Sequence, residues 1–116
     1  MANVIVLFEV TLKEGHSDAY LAAAAALKQE LVQTDGFLGA ERFTSLASPG
    51  KLLSKSEWHD EQSVAKWRNT LHRMAQTQGR LNDFADYKIT VATPVRCYTL
   101  SSRDEAPNDS NRYFNL

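Results

Sequence analysis

Only one cysteine, Cys97, occurs among the 116 residues, which excludes an intramolecular disulfide framework and a cysteine-based metal cluster. Charge of one sign is not in excess either. The chain has 13 basic and 14 acidic residues, and it carries no basic stripe that would indicate nucleic-acid or anionic-membrane binding. The first apolar run is short, stops at Glu9 and has no basic flank, so it predicts neither a signal peptide nor a membrane span. We therefore expect a cytoplasmic protein.

Glycine-rich and histidine-rich motifs are also missing. The five glycines are scattered and form no phosphate-cradling pattern, so no nucleotide cofactor is indicated. The histidines, His16, His59 and His72, lack metal-ligand spacing, and we expect no metal site. What is present is an ordinary globular composition, 43% hydrophobic and 23% charged, at a length that suits one domain with one core.

The stretch 54–80 carries most of the distinctive residues, including both tryptophans and two of the three histidines. Asp60 occupies the position of a helix N-cap, and Gly79 provides a stop. Apolar residues recur between them at steps of three, four and three, which predicts an amphipathic helix; they are Val64, Trp67, Leu71 and Met74. We expect this helix to line any ligand site that the protein has.

The remaining pattern predicts four strands and a further helix. Residue 17 opens the first helix, which runs to about Thr34. The turn at Ser48-Pro49-Gly50 joins two strands into an antiparallel hairpin. Pro94 predicts a bulge or a sheet edge within the last strand, because proline cannot donate a ladder hydrogen bond. The predicted strands cover residues 4–12, 37–44, 51–59 and 85–100.

The order β-α-β-β-α-β predicts an α+β, ferredoxin-like fold, in which both helices cover one face of a four-stranded antiparallel sheet. Residues 1–100 then form the domain, and 101–116 form a polar, flexible C-terminal tail. The first strand also has apolar residues, Ile5 and Leu7, on the side that no helix would cover. Because monomers rarely expose a large apolar patch, we expect a homodimer that packs sheet against sheet.

Short motifs are spread over roughly residues 3–100: Gly36-Phe37-Leu38-Gly39, Ser54-x-x-Glu57-Trp58-x-Asp60-Glu61, Trp67-Arg68-Asn69, His72, Ala85-Asp86-Tyr87 and Val95-Arg96-x-Tyr98. Together they resemble the antibiotic biosynthesis monooxygenase (ABM) domain of the dimeric α/β-barrel superfamily. The resemblance implies the fold and the homodimer. It also implies a ligand site between the helices and the sheet of one subunit.

One branch of that superfamily oxidises anthrone-like phenols with molecular oxygen and needs no metal, flavin or other cofactor. Its site deprotonates a small aromatic substrate, and the electron-rich anion reduces oxygen. The resemblance therefore suggests roles for six residues. His72 and Tyr98 are candidates for proton transfer, Trp67 and Phe8 for contact with the substrate, and Arg68 and Arg96 for stabilising the anion.

Two alternatives stay open at this point. A haem-degrading branch has a tryptophan that Trp67 matches, but Phe8 stands where that branch has asparagine, and Thr77 or Gln78 where it has histidine. The other alternative is a non-catalytic, ligand-binding or stress-associated dimer. In that case Trp67 packs helix against sheet, and His72 is a structural or surface residue.

Four further residues have a structural interpretation. Trp58 is predicted to be a core or interface anchor, and Cys97 a small buried residue of the last strand. Glu9 and Glu57 are expected to form salt bridges with Lys55 or Arg42; the alternative is a carboxylate that lines a cavity and has a raised pKa.

Overall fold

A computed structural model describes residues 3–78 and 84–113, with the side chains of 71–78 and 113 outside that description. Its strands form one antiparallel sheet in the order β2-β3-β1-β4, which confirms the predicted α+β, ferredoxin-like topology. The elements are β1 (Val4–Leu12), α1 (Ser17–Leu31), β2 (Phe37–Thr44), β3 (Lys51–Trp58), α2 (Glu61–Gln78), β4 (Phe84–Ala92) and α3 (Asn108–Tyr113).

Side-chain alternation along β1 divides the sheet into two faces. Even-numbered residues of β1 pack against α1 and α2, and their direct partners in neighbouring strands share that side, here called the helix-side face. Odd-numbered residues of β1 and their partners form the outer face. The helix-side face consists of Val4, Val6, Phe8, Val10, Leu12, Phe37, Ala40, Arg42, Thr44, Leu52, Ser54, Ser56, Trp58, Phe84, Tyr87, Ile89 and Val91.

The core lies at two ends of the helix-side face. At one end, Val64 of α2 packs on Val4 and Trp58, with Phe37 and Trp67 alongside. At the other end, Tyr20 of α1 packs on β1, and the members of this second cluster are Val10, Leu12, Tyr20, Phe8, Leu52 and Phe84. Both helices therefore cover the same face, as the sequence predicts, and Trp58 is the core anchor that was expected.

The outer face combines apolar and charged side chains. Ile5 and Leu7 of β1 are half-buried there, next to Leu53 and, farther out, Phe43. The charged members are Glu9, Glu41, Lys51, Lys55, Glu57, Asp86 and Lys88. Glu9 forms its ion pair with Lys51, at 3.4 Å, and not with the predicted Lys55 or Arg42. Arg42 cannot form an ion pair with Glu9 because the two residues lie on opposite faces of the sheet.

The end of β4 differs from the prediction. The strand stops at Ala92 and not at Leu100, because its partner β1 begins at Val4 and Pro94 provides no N–H for a ladder. The chain continues as the C-terminal segment, defined as residues 93–113. Cys97 is exposed in this segment, so the expectation of a buried strand cysteine is wrong.

The C-terminal segment folds on itself, whereas a flexible tail was expected. Arg103 donates hydrogen bonds to the Thr99 carbonyl oxygen and to Asn111 Oδ1, each at 3.0 Å. Residues 108–113 form α3. The radius of gyration is 16.9 Å, against roughly 13 Å for a compact chain of this length. The boundary between the domain 1–100 and the tail 101–116 stays a prediction.

The first turn of α2 is capped as the sequence predicts. The backbone N–H and the hydroxyl of Ser63 both donate hydrogen bonds to Asp60 Oδ1, each at 2.8 Å. These bonds, the backbone one first, lower the pKa of Asp60 below its ordinary value. The neighbouring His59 is exposed.

Asp60→Ala is expected to lower the thermal unfolding midpoint at pH 7. Because the pKa of Asp60 is lower in the folded state, the stabilisation is present above the unfolded pKa, about 4, and is lost as the pH falls through the folded value. The difference between wild type and variant should therefore shrink at low pH. Asp60→Asn is the matched control, since its amide does not titrate, and the midpoints are measured by circular dichroism. A difference that stays constant from pH 7 to pH 2 would contradict the role of the charge.

Within the residues described, no helix is both long enough and apolar enough to cross a membrane. The same residues contain no group of three His, Cys, Asp or Glu side chains placed to hold a metal ion.

Candidate functional site

Four aromatic side chains meet where β1, β4 and α1 come together. This aromatic cluster consists of Phe8, Tyr20, Phe84 and Tyr87. Ring centroids lie 5.8 Å apart for Phe8 and Phe84, and 5.9 Å apart for Phe8 and Tyr87. Tyr20 reaches Phe84 at 5.7 Å, edge to face. Such geometry adds to area burial and gives the cluster a fixed shape.

A bulge assembles this cluster. The register between β1 and β4 shifts so that Thr11 pairs with Asp86 and Leu12 pairs with Phe84. The extra residue, Ala85, lets Phe84 and Tyr87 lie on the same face, although strict alternation would place them on opposite faces. A local irregularity in β4 therefore brings the two rings together.

The helix-side face of β4 is open to solvent. A shallow depression of about 240 Å³ lies at the start of β4; Phe84 and Tyr87 line it from this face, and Ala85 and Asp86 line it beside the bulge. Along the same face, Tyr87 is 53% exposed, Ile89 54% and Val91 43%. Three neighbouring apolar side chains at this exposure form a surface on which an apolar ligand can lie.

Small residues occupy the middle of the helix-side face. Ser54 and Ser56 of β3 stand between β2 and β1, and Ala40 of β2 is paired with Ser56. Ser56 Oγ accepts a hydrogen bond from Trp58 Nε1 at 2.8 Å. Small side chains here leave more room above the sheet than the aromatic rings at either end do.

Arg42 is the only charged residue among the strand residues of the helix-side face. A bulge between Phe37 and Gly39 sets its direction, because the shift moves even-numbered β2 residues from the outer face to the helix side. The guanidinium carbon lies 5.7 Å from the Tyr20 ring centroid, within cation–π range. Burial raises the pKa of Tyr20, and the adjacent Arg42 opposes that rise. Tyr20 therefore stays a neutral phenol at physiological pH.

A second aromatic group lies at the opposite end of the face. Trp58, 1% exposed, contacts Phe37 at 5.3 Å and Trp67 at 6.5 Å between centroids. Trp67 is half-buried and packs against the core cluster that contains Trp58. It is both a core residue and a candidate wall of a ligand site; the part of the helix-side face that lies between the two aromatic groups is here called the cleft.

The six site residues proposed from the sequence do not all lie in one part of the structure. Phe8 and Trp67 lie on the same side of the sheet, in the two aromatic groups. Arg68 is exposed on α2, one position from Trp67. His72 lies on the same helix, with its side chain outside the described residues.

The other two of the six lie in the C-terminal segment. Arg96 is exposed, and Tyr98 has its ring 5.0 Å from the Arg103 guanidinium carbon. The structure thus places Phe8 and Trp67 on the same side of the sheet but in separate aromatic groups, whereas Arg96 and Tyr98 lie on a segment beyond β4.

Tyr20, Arg42 and Tyr87 were not identified as site residues from the sequence. Arg42 was interpreted as a possible ion-pair partner of Glu9 or Glu57. The one sequence signal that could have helped is Gly39, since a glycine inside a strand often marks a bulge. Such a bulge would have placed Arg42 on the buried side.

Comparison with solved structures supports the fold. A protein of Pseudomonas aeruginosa superposes with a TM-score of 0.70 at 17% identity, covering 82% of this chain and 96% of that one. A structure named antibiotic biosynthesis monooxygenase gives a TM-score of 0.68 at 18% identity, covering 79% of this chain and 98% of that one. At these identities the likeness establishes the architecture alone.

Sequence comparison identifies the family. A curated relative, jasmonate monooxygenase ABM of Pyricularia oryzae, is 42% identical over 87 residues, which are 74% of this chain and 40% of the relative. The chain thus spans about two-fifths of that relative's length. The model of the antibiotic biosynthesis monooxygenase family matches residues 3–77, well over half of the sequence. On this match, the chain belongs to the antibiotic biosynthesis monooxygenase family.

Proposed function

We propose that this protein is a cofactor-independent monooxygenase that oxidises a small aromatic, phenolic substrate with molecular oxygen. The observation that carries the proposal is the set of side chains on the helix-side face. One face of the sheet offers aromatic rings, exposed apolar residues of β4 and a single cation, Arg42. A flat, electron-rich molecule that becomes anionic matches such a lining.

The curated relative lends support at the level of reaction class. Its name describes a monooxygenase that acts on jasmonate, and it shares 42% identity with this chain over 87 residues. Family membership likewise favours oxygen chemistry over the non-catalytic alternative. We carry over the reaction class only, because the chain covers 40% of that relative.

The proposed reaction balances without an external reductant. A base removes a proton from an activated methylene of the substrate, and the resulting carbanion, delocalised as a phenolate, transfers electrons to oxygen. A carbon–oxygen bond forms, the oxygen–oxygen bond breaks, and one oxygen atom leaves as water while the other becomes the new carbonyl. The methylene carbon supplies all the electrons that reduce the oxygen molecule. The protein's task is to position the substrate, move protons and stabilise the anion.

Four of the candidate residues have a role in this proposal. Phe8 and Trp67 contact the aromatic body of the substrate from the two ends of the cleft. His72, on the same helix as Trp67, accepts the substrate proton, and Arg68 provides positive potential beside it. Tyr98 and Arg96 contribute only if the C-terminal segment reaches a cleft, in its own subunit or in a second copy.

Oxygen consumption with an anthrone as substrate tests this function. Wild type should consume oxygen above the enzyme-free rate, one molecule per anthrone oxidised, and form the quinone. His72→Ala should lower kcat by roughly a hundred- to ten-thousand-fold, the usual contribution of a general base. Trp67→Phe should mainly raise KM, because it reduces the contact area with the ring. His59→Ala, at an exposed position before α2, is the matched histidine control and should behave as wild type.

Two results would reject parts of this proposal. No oxygen consumption above the blank would reject the activity on this substrate class. Consumption that both His72→Ala and Trp67→Phe leave unchanged would keep the activity and reject the assigned site.

We also propose that two copies pair through their outer faces. The outer face carries apolar residues among side chains of both charge signs. It can therefore complement the same face of a second copy about a two-fold axis. Val95 and Leu100, 92% and 82% exposed in the C-terminal segment, offer further apolar surface. Sedimentation at micromolar concentration should give a dimer, and a monomer would reject the pairing.

A further inference from the structure

We infer that Arg42 binds an anionic group of the ligand, so that the cleft selects apolar aromatic molecules that carry an acidic group. The inference rests on the proposed function and deepens it, because it names the substrate class and a specificity-determining residue. The residue was not among those that the sequence resemblance suggested.

The position of Arg42 is the first observation. It is the one charged residue on the helix-side face of the four strands, and its side chain is exposed. Arg42 of β2 pairs with Ser54 of β3. The same row of the sheet continues through Phe8 of β1 to Ile89 of β4. A cation thus stands at one end of a row whose other end is apolar.

The charge of Arg42 is not neutralised by the part of the chain that the structure describes. No carboxylate oxygen of those residues lies within ion-pair distance of its guanidinium. Arg42 lies beside Tyr20, with the guanidinium carbon 5.7 Å from the ring centroid; burial raises the pKa of that phenol, and the Arg42 charge and hydrogen bond oppose the rise. A guanidinium has five N–H donors arranged for planar recognition of a carboxylate. The Tyr20 contact is the one that the described residues give this side chain, and its exposure leaves N–H donors accessible to a ligand.

The spacing of the row sets the size of the ligand. Arg42 and Phe8 are two strands apart, which corresponds to roughly 10 Å between Cα atoms. Ser54 stands between them and fills little of that distance. A ligand of two or three fused rings with one carboxylate or phenolate spans from the guanidinium to the Phe8 ring. Longer apolar parts would extend over Ile89.

A purely structural role for Arg42 makes a different prediction. If its function were only to cover the Tyr20 ring, removing the guanidinium would weaken the cleft for all ligands alike. An anion-binding role instead affects charged ligands selectively. The ratio of two affinities therefore separates the roles, even when the absolute affinities change.

The experiment compares a naphthalene carboxylate with the matching neutral carboxamide, both titrated calorimetrically into the full chain. Wild type should prefer the carboxylate by roughly ten- to a hundred-fold, as charge-assisted hydrogen bonds allow. Arg42→Met, which keeps an unbranched apolar side chain next to Tyr20 but removes the guanidinium, should abolish the preference. Arg42→Lys should retain part of it, since the charge remains but the planar fork is lost. Lys28→Met, at an exposed position of α1, removes one positive charge elsewhere and should keep the preference.

The outcomes also separate this inference from the proposed function. No carboxylate preference in wild type, or equal losses for both ligands in Arg42→Met, overturns the anion site whether or not oxygen is consumed. A preference that Arg42→Met removes supports the site even if no anthrone is oxidised, and in that case only the reaction assignment fails. Thermal unfolding of each variant verifies that the affinities come from folded protein.

Discussion

Trp58→Ala is expected to lower the free energy of unfolding by about 3–5 kcal/mol, the largest loss in stability that we predict for a single large-to-small change in this chain. The indole is 1% exposed, so truncation leaves a cavity with apolar walls. Phe37 and Trp67 both lose an aromatic neighbour, at 5.3 and 6.5 Å. Ser56 also loses the indole N–H that it binds at 2.8 Å.

Urea denaturation followed by far-ultraviolet circular dichroism measures this loss, because the signal does not depend on the removed tryptophan. Protein concentration is kept equal throughout, since association would make the midpoint concentration-dependent. Leu46→Ala is the control: that leucine is 103% exposed in the β2–β3 turn, and the change should stay within about 0.5 kcal/mol. A loss below about 1 kcal/mol for Trp58→Ala would show that the end of the core collapses around the gap.

Local patterns were sufficient for most of the fold. The alternation in β1, the stripe of α2 that contains Val64 and Trp67, and the Asp60 cap each depend on residues close together in the sequence, and the structure confirms all three. The element order then leaves few topologies open, because crossover connections have a fixed handedness.

The candidate site was harder to predict because two bulges determine which residues it contains. A single extra residue reverses the face assignment of every position after it. Counted by strict alternation from the inward-facing Phe37, Arg42 belongs to the outer face; the bulge before Gly39 returns it to the helix side. Phe84 and Tyr87 share a face for the same reason. Bulges depend on the pairing of distant strands, which periodicity within one segment does not contain.

The C-terminal segment shows the second limit of sequence patterns. Val95 and Cys97 continue the alternation of β4, and the pattern therefore predicts a longer strand. A strand, however, needs a partner backbone, and β1 has no residue left to pair beyond Val4 within the sheet. Residues 93–100 therefore form no strand, and Val95 of the apolar pattern is exposed. Pairing with another chain would explain why the pattern is there, and the sedimentation experiment addresses that.

Gly36→Ala is expected to destabilise the protein by about 2–5 kcal/mol, through two separate effects. The residue has a φ of +85°, a conformation that costs an alanine about 1–2 kcal/mol. A Cβ atom at this position would also overlap the Ser63 side chain, in the first turn of α2. Overpacking of that kind adds about 1–3 kcal/mol. The carbonyl oxygen of Gly36 accepts a hydrogen bond from His59 N–H at 2.7 Å, so the backbone cannot easily move away.

Gly15→Ala isolates the conformational part of that loss. Its φ is +82°, nearly the same, but no heavy atom lies within 4 Å of an added Cβ. It should therefore cost only about 1–2 kcal/mol. A double-mutant cycle with Ser63→Gly tests the steric part, because removing the Ser63 side chain should reduce the cost of Gly36→Ala to that of Gly15→Ala. If the cost of Gly36→Ala is the same in both backgrounds, the close approach of Gly36 to α2 does not contribute to stability, and strain at the turn alone accounts for the loss.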